Sequence, residues 1–188
     1  MKINAVRGNL SYKQFLKANG FPNDKAYKES LSRKLSREMT KAKKKNEQER
    51  AWAGVLTQTK VKKYPKRMVK KEAQNSLALM SGYAKAHGMS MGEYQKKILR
   101  AKKSEIEKIV QVRAEASVKE KLIAYDIAKR RNIKLTKEAY SAWEKKYCEK
   151  KGVSRENVKS VYGMNWKEYK EKSDLESMAL IDRVKGGL

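Results

Sequence analysis

Apolar positions recur along this chain at steps of three and four. The clearest run starts near residue 104, where Ile106, Val110, Ala114, Val118, Leu122 and Tyr125 follow one another at helical spacing. A half-buried strand has period two and cannot gather these residues on one face. Ile109, Ile123 and Ile127 widen the stripe, as expected of a helix buried by several neighbours. Ser104 and Glu107 form an S-x-x-E pair that predicts its start. After Asn132 comes an apolar–polar–apolar link, Ile133-Lys134-Leu135. Thr136 then predicts a second helix, with Glu138 in its first turn where the dipole favours an anion. Tyr140, Trp143 and Tyr147 share a face of that helix, and Gly152 suits a left-handed stop. Ser154 predicts a third, short helix ending at Gly163.

The same reading covers the rest of the chain. Residues 1–10 read as a loose basic lead-in, and Ser11 predicts a short helix over 12–19 with Phe15 and Leu16 inward and Gly20 at its end. Phe21-Pro22-Asn23-Asp24 is a turn, and Asp24 is the expected cap of a helix running to about Thr57. Its stripe is Tyr27, Leu31, Leu35, Met39 and Ala42; residues 43–50 carry no large apolar side chain; Trp52, Val55 and Leu56 resume the pattern. Either one helix bridges two packed regions or forms part of an arm, or two helices meet at a break near Lys45-Asn46. Pro65 biases Tyr64 toward extended backbone, so 60–63 is read as extended. Pro65 is also acceptable in the first turn of the next helix, which carries Met68, Val69, Ala73, Leu77, Met80 and Tyr83 and ends near His87-Gly88. Ser90 and Glu93 open a short helix with Tyr94, Ile98 and Leu99. Asn165 and Glu168 open one last helix with Trp166, Tyr169, Leu175, Met178 and Ile181. No strand-length alternation stands outside the short links. The fold class is all-α, with a basic lead-in and short helix over 1–23 and a helical domain over 24–188.

Charge changes the picture more than composition does. Forty-seven Lys and Arg against twenty-one Asp and Glu give +26 over 188 residues. Such an excess attracts polyanions, whether nucleic acid, anionic membrane or acidic protein. Solubility of a thin helical fold is the simpler reading, although a net charge of about 2–8 suffices for a small domain. The densest basic segments are 41–45 and 60–71; the second holds seven basic residues and no acid. Lys60, Lys62, Lys63, Arg67 and Lys70 are therefore the candidate polyanion contacts. No apolar run approaches 18 residues, so no transmembrane helix is expected. The first ten residues hold no continuous apolar stretch of a signal peptide. One cysteine excludes an intrachain disulfide and fits a reducing, cytoplasmic setting.

Catalytic constellations are nearly absent. His87, the only histidine, stands at a helix end before glycine, where a capping role is expected. Cys148 has no second cysteine for a metal site. Lys145, Lys146 and Lys150 are near enough in sequence to lower its pKa, but no base partners it, and it reads as an incidental helix residue. No Walker loop or G-x-G-x-x-G occurs. No enzyme, no cofactor and no metal are expected.

The residues Ala114, Val118, Lys119, Leu122, Ile123, Ile127, Ala128, Ile133, Leu135 and Thr136, in that order, resemble the C-terminal domain of bacterial trigger factor. Gly152-Val153-Ser154, Glu156 and Val158 continue the likeness, as do Tyr162, Leu175, Met178 and Ile181. Upstream, Tyr64-Pro65-Lys66-Arg67-Met68-Val69 and Gly88-Met89-Ser90 with Glu93-Tyr94 are similar to that family's helix starts. The likeness runs from about Asp24 onward. It implies an elongated helical body with long helices forming protruding arms, which cradles unfolded chains. The family's docking loop, G-F-R-x-G-x-x-P, and a β-rich prolyl-isomerase segment have no counterpart in this sequence, so a stand-alone helical chaperone domain is expected.

A protein that holds unfolded chains must expose apolar surface. Adaptable thioethers and amphipathic aromatics suit that task, and eight Met, ten Tyr and three Trp stand against two Phe. Candidate client contacts are Met68, Met80, Tyr83, Met89, Met91, Tyr94, Tyr140, Trp143, Tyr147 and Trp166; core is the simpler reading of each. Three functions follow: a chaperone for unfolded or acidic polypeptides, a protein associated with RNA or the ribosome, and a dedicated assembly partner. No membrane partner is expected.

Overall fold

The computed structural model describes residues 11–187. The basic lead-in expected over 1–10 lies outside the described residues. Every regular element among them is helical, so the chain is all-α. It divides into two compact units, Met1–Arg50 and Ala51–Leu188. The division falls inside a helix.

In the first unit, helix α1 (Tyr12–Ala18) starts in a reciprocal cap: Ser11 Oγ accepts from the Gln14 amide, and Gln14 Oε1 accepts from the Ser11 amide at 2.8 Å. Leu16 is buried, and the rings of Phe15 and Phe21 meet Tyr27 edge-on at 5.7 and 5.1 Å. These contacts seat α1 on the start of α2. The Tyr12 hydroxyl donates to Asp24, and that hydrogen bond pushes the phenol up to about 12. Asp24 is held low by its hydrogen bonds with Lys28 and then Tyr12.

Helix α2 spans Asp24–Gln58 as one unbroken element, with no break at Lys45-Asn46. Asn23, one residue before the expected cap, does the capping: its Oδ1 accepts from the Ala26 amide at 2.9 Å. The two ends of the α2 pattern behave differently. Trp52 is buried, with Val55 and Leu56 packed beside it. Leu31, Leu35 and Met39 stay exposed.

The second unit contains α3 (Lys66–Ala86), α4 (Met91–Tyr94) running into a wider π turn at Gln95–Leu99, and α5 (Lys103–Arg130). Helices α6 (Lys137–Lys151), α7 (Val158–Tyr162), α8 (Trp166–Ser173) and α9 (Leu175–Gly186) follow. Pro65 caps α3 with extended backbone and stands just outside it. Helix α5 starts near its expected place but by different chemistry. Glu105 accepts from the Lys102 amide at 2.7 Å, so the helix begins before Ser104, and the Ser104/Glu107 register goes unused. Ile106, Val110, Ala114 and Val118 are buried as the stripe predicts. Ile109, expected to widen it, is 46% exposed, because the neighbours of α5 cover only one side there. Thr136 and Asn165 cap as predicted, and Gly152 and Gly163 take left-handed stops. Ser154 does not cap α7 directly: its Oγ accepts from the Glu156 and Asn157 amides in the turn before the helix, whose N-cap is Asn157. The single last helix expected from sequence is two: Asp174 turns left-handed at φ 49° between α8 and α9.

Three apolar clusters hold this unit. Val69 of α3 packs on Ala114 and Val118 of α5. Trp52 meets Ile123, Ala124 and Ala128 of α5 and Ile181 and Val184 of α9. Val153, Val158, Met164, Tyr169 and Leu175 gather the shorter helices. Between the clusters lies a charged clasp. Lys121 is buried, and its ammonium meets Glu72 and Asp174 at 2.5 Å each. Ser117 adds a hydrogen bond to Glu72 at 2.9 Å. Burial opposes the Lys121 charge, but the Asp174 and Glu72 carboxylates outweigh it and hold the pKa above its ordinary value. The Asp174 carboxyl also resists its burial: hydrogen bonds from Lys121 and Ser177 keep it below its usual range.

Candidate functional site

The most exposed apolar face among the described residues of the first unit lies on α2. Leu31, Leu35 and Met39 stand at i, i+4 and i+8, which places them on one side of the helix. Their exposures rise along the chain from 38% through 50% to 72%. Lys28 and Lys43 border this face, with Ser32, Ser36 and Thr40 alongside. It is therefore an apolar strip with cationic ends. Its leucines are too short to fold back on themselves, so only another surface can cover them. Periodicity marked this strip as the apolar face of a helix that bridges two packed regions or forms part of an arm, and none of its residues was among the candidate contacts. Among the described residues α1 and its following turn reach only the Leu31 end of the strip, whereas α5 is flanked along its buried stripe, a difference that no local pattern encodes.

The ten candidate client contacts sit elsewhere, in the second unit, and all are partly buried. Met68 packs against the Val69 cluster. Tyr140, Trp143, Tyr147 and Trp166 pack against the Val153 cluster. Their polar atoms are tied as well. The Tyr140 hydroxyl donates to Glu144 at 2.8 Å, and Lys170 pairs with the same carboxylate at 2.8 Å while lying over the Tyr140 ring. Burial, reinforced by Glu144, pushes Tyr140 up to about 12. The Trp143 indole donates to Asp182, and Tyr147 bonds Tyr169 at 3.0 Å. Tyr83 stacks on His87 at 4.2 Å and meets Tyr94 and Tyr162 edge-on. Met80, Met89 and Met91 are half-buried in the same stretch of chain, around the end of α3 and the start of α4.

His87 caps α3, its Nδ1 2.9 Å from the Tyr83 carbonyl. Cys148 is partly buried; burial, then Glu144, pushes its thiol up, away from a reactive thiolate. Among the described residues no group of three His, Cys, Asp or Glu side chains is placed to hold a metal ion. None of their helices is long and apolar enough to cross a membrane.

The polyanion candidates come together on one stretch. Lys60, Lys62 and Lys63 lie on the irregular link after α2, Arg67 and Lys70 on the first turns of α3, and all five are exposed. None forms an ion pair among the described residues.

No curated protein and no solved structure matches the chain. The family described as bacterial trigger factor protein (TF) C-terminus matches residues 25–185, from the start of α2 to the last turns of α9. The match spans both units and takes in the exposed strip and the buried clasp alike. The chain belongs to the bacterial trigger factor C-terminus family.

Proposed function

We propose that this chain is a chaperone-like protein that binds unfolded or partly folded polypeptides and catalyses no reaction on them. The observation that carries the reading is the strip Leu31, Leu35 and Met39 on α2, exposed among the described residues. Exposed apolar side chains at helical spacing offer a client segment the burial it lacks in water, at about 25 cal/mol per Å² of apolar surface removed. Met39 at the most exposed end adapts to varied shapes. Lys28 and Lys43 favour segments with acidic flanks. The half-buried Met80, Tyr83, Met89, Met91 and Tyr94 add surface of similar character in the second unit.

Aggregation of a chemically denatured enzyme, followed by light scattering, tests the reading. Equimolar protein suppresses the scatter. Replacing Leu31, Leu35 and Met39 together by Ser removes most of the suppression while helicity is retained. No suppression by the parent protein refutes the function; full suppression by the triple variant refutes the strip.

A further inference from the structure

The basic stretch at the start of α3 adjoins a groove, and together they carry an inference beyond client binding. Seven basic residues occupy 60–71 without one acid, and all seven are exposed. Lys66 and Lys70, and Arg67 and Lys71, stand at i, i+4 on α3, a spacing at which like charges destabilise a helix. The next acid, Glu72, offers no relief, because its carboxylate is held by Lys121 and Ser117. The stretch therefore has no acidic partner of its own among the described residues and is open to an external anion.

The groove says which kind. It measures about 370 Å³ and lies between α3 and α5, within the size range of small-ligand sites. Its apolar lining is Val69, Ala73 and Leu77; Tyr64 stands in its wall; Gln74 and Gln111 supply amides; Lys66 and Lys70 bring the basic stretch to its edge. One acid, Glu115, also lines it and accepts the Gln111 amide at 2.9 Å. An apolar slot with an aromatic wall and amide edges suits a flat heterocycle whose rim donates and accepts hydrogen bonds. A row of cations beside it suits a chain of phosphates. Single-stranded nucleic acid combines the two, with bases free to leave the stack. Poly-glutamate brings charge but no ring, and a duplex keeps its bases stacked.

The geometry points to a single-stranded nucleic-acid site in which Lys60, Lys62, Lys63, Lys66, Arg67 and Lys70 hold phosphates while Tyr64, Gln74 and Gln111 receive a base. Fluorescence anisotropy with labelled oligo-uridylate, its deoxy counterpart, a duplex and poly-glutamate, each across a salt series, tests it. Both single strands are expected to bind at low salt, more tightly than duplex or poly-glutamate; the ratio of the two reads the 2′-hydroxyl. Changing Lys60, Lys62, Lys63, Arg67 and Lys70 to Gln flattens the log K against log salt slope by about 0.7 for each phosphate left without its cation. Tyr64→Leu keeps the side chain apolar but removes the ring, and weakens single-strand binding by about five- to 150-fold with the slope little changed. Should Tyr64→Leu melt, Gln74→Ala with Gln111→Ala, both at exposed positions, decides: it weakens RNA and leaves poly-glutamate unchanged. No single-strand affinity at low salt, equal affinity for duplex or poly-glutamate, or indifference to the groove variants overturns the site.

Discussion

Gly82 in α3 and Gly163 at the end of α7 meet backbone to backbone. A Cβ on Gly82 would lie 2.2 Å from the Tyr162 carbonyl oxygen, and one on Gly163 would lie 2.7 Å from the Gly82 carbonyl oxygen. Backbone cannot swing aside as a side-chain tip can, so both positions require hydrogen in place of a methyl. Gly163 carries a second demand, a φ of 64°, at which a side chain is strained.

Gly82→Ala is therefore expected to destabilise the second unit by about 1–3 kcal/mol through overpacking, although alanine is the better helix former. Gly163→Ala adds the left-handed strain, about 1–2 kcal/mol. Chemical denaturation of both variants checks the order. A neutral or stabilising Gly82→Ala contradicts the close approach.

Lys121→Met leaves Glu72 and Asp174 facing each other without their cation. A loss of about 3 kcal/mol is expected at neutral pH, the low end for a broken buried pair because Asp174 keeps some solvent. In the parent protein the depressed Asp174 pKa gives stability that is present above the unfolded value near 3.9 and fades as pH falls through the folded one. The raised Lys121 pKa gives stability that lasts up to about pH 10.4 and fades as pH rises through the folded value. The deficit of Lys121→Met should accordingly shrink toward pH 3, as its carboxylates take up protons. Urea titrations across pH read this directly.

Trp52 is 2% exposed, donates to Glu120 at 2.7 Å, and lies under Lys185, which pairs with the same Glu120 at 3.0 Å. Trp52→Ala should cost about 3–5 kcal/mol. Trp52→Phe should lose less, keeping the ring but leaving Glu120 without its indole donor. Intrinsic fluorescence and thermal melts separate the two.

Replacing Met80, Tyr83 and Tyr94 together by Ser removes the stack of Tyr83 on His87 and its edge-on meetings with Tyr94 and Tyr162. Some loss of melting temperature is expected, unlike the Leu31, Leu35 and Met39 variant on the open strip. Circular dichroism melts of the two triple variants should differ in that sense; equal melts would mean the aromatic group contributes no packing.

A protease-coupled peptide assay should show no prolyl-isomerase turnover above the uncatalysed rate, because every regular element among the described residues is helical.

Much of the fold was legible because helix ends are local chemistry. Ser11, Ser90, Thr136 and Asn165 each accept a hydrogen bond from the amide three residues on, and such spacings can be read from a string of letters. Two competing registers blurred the start of α5: Ser104 with Glu107 looks as good as Glu105 on Lys102, and only the backbone chooses. The break at Asp174 was invisible because no glycine or proline announces it; a residue 53 positions away, Lys121, draws its carboxylate inward. Gly82 gave no signal either, since its partner lies beyond the next three helices in the chain. The candidate site was half legible. Periodicity located both the Leu31 strip and the α5 stripe, but whether a stripe is covered depends on what packs opposite. The basic stretch needed only composition, whereas its groove needed Gln111 to be brought beside Gln74.

The Lys121 clasp also bears on time. Its two ion pairs close loops of 49 and 53 residues, so they have no local advantage, and they form only once α3, α5 and the α8–α9 corner are docked. Interactions that are absent from the transition state slow unfolding when strengthened and leave folding speed almost unchanged, and the long separations of these pairs are expected to place them in that class. The clasp therefore acts as a latch on the lifetime of the folded unit, and Lys121→Met should steepen the decay of native signal after a jump into denaturant while refolding proceeds at its former pace.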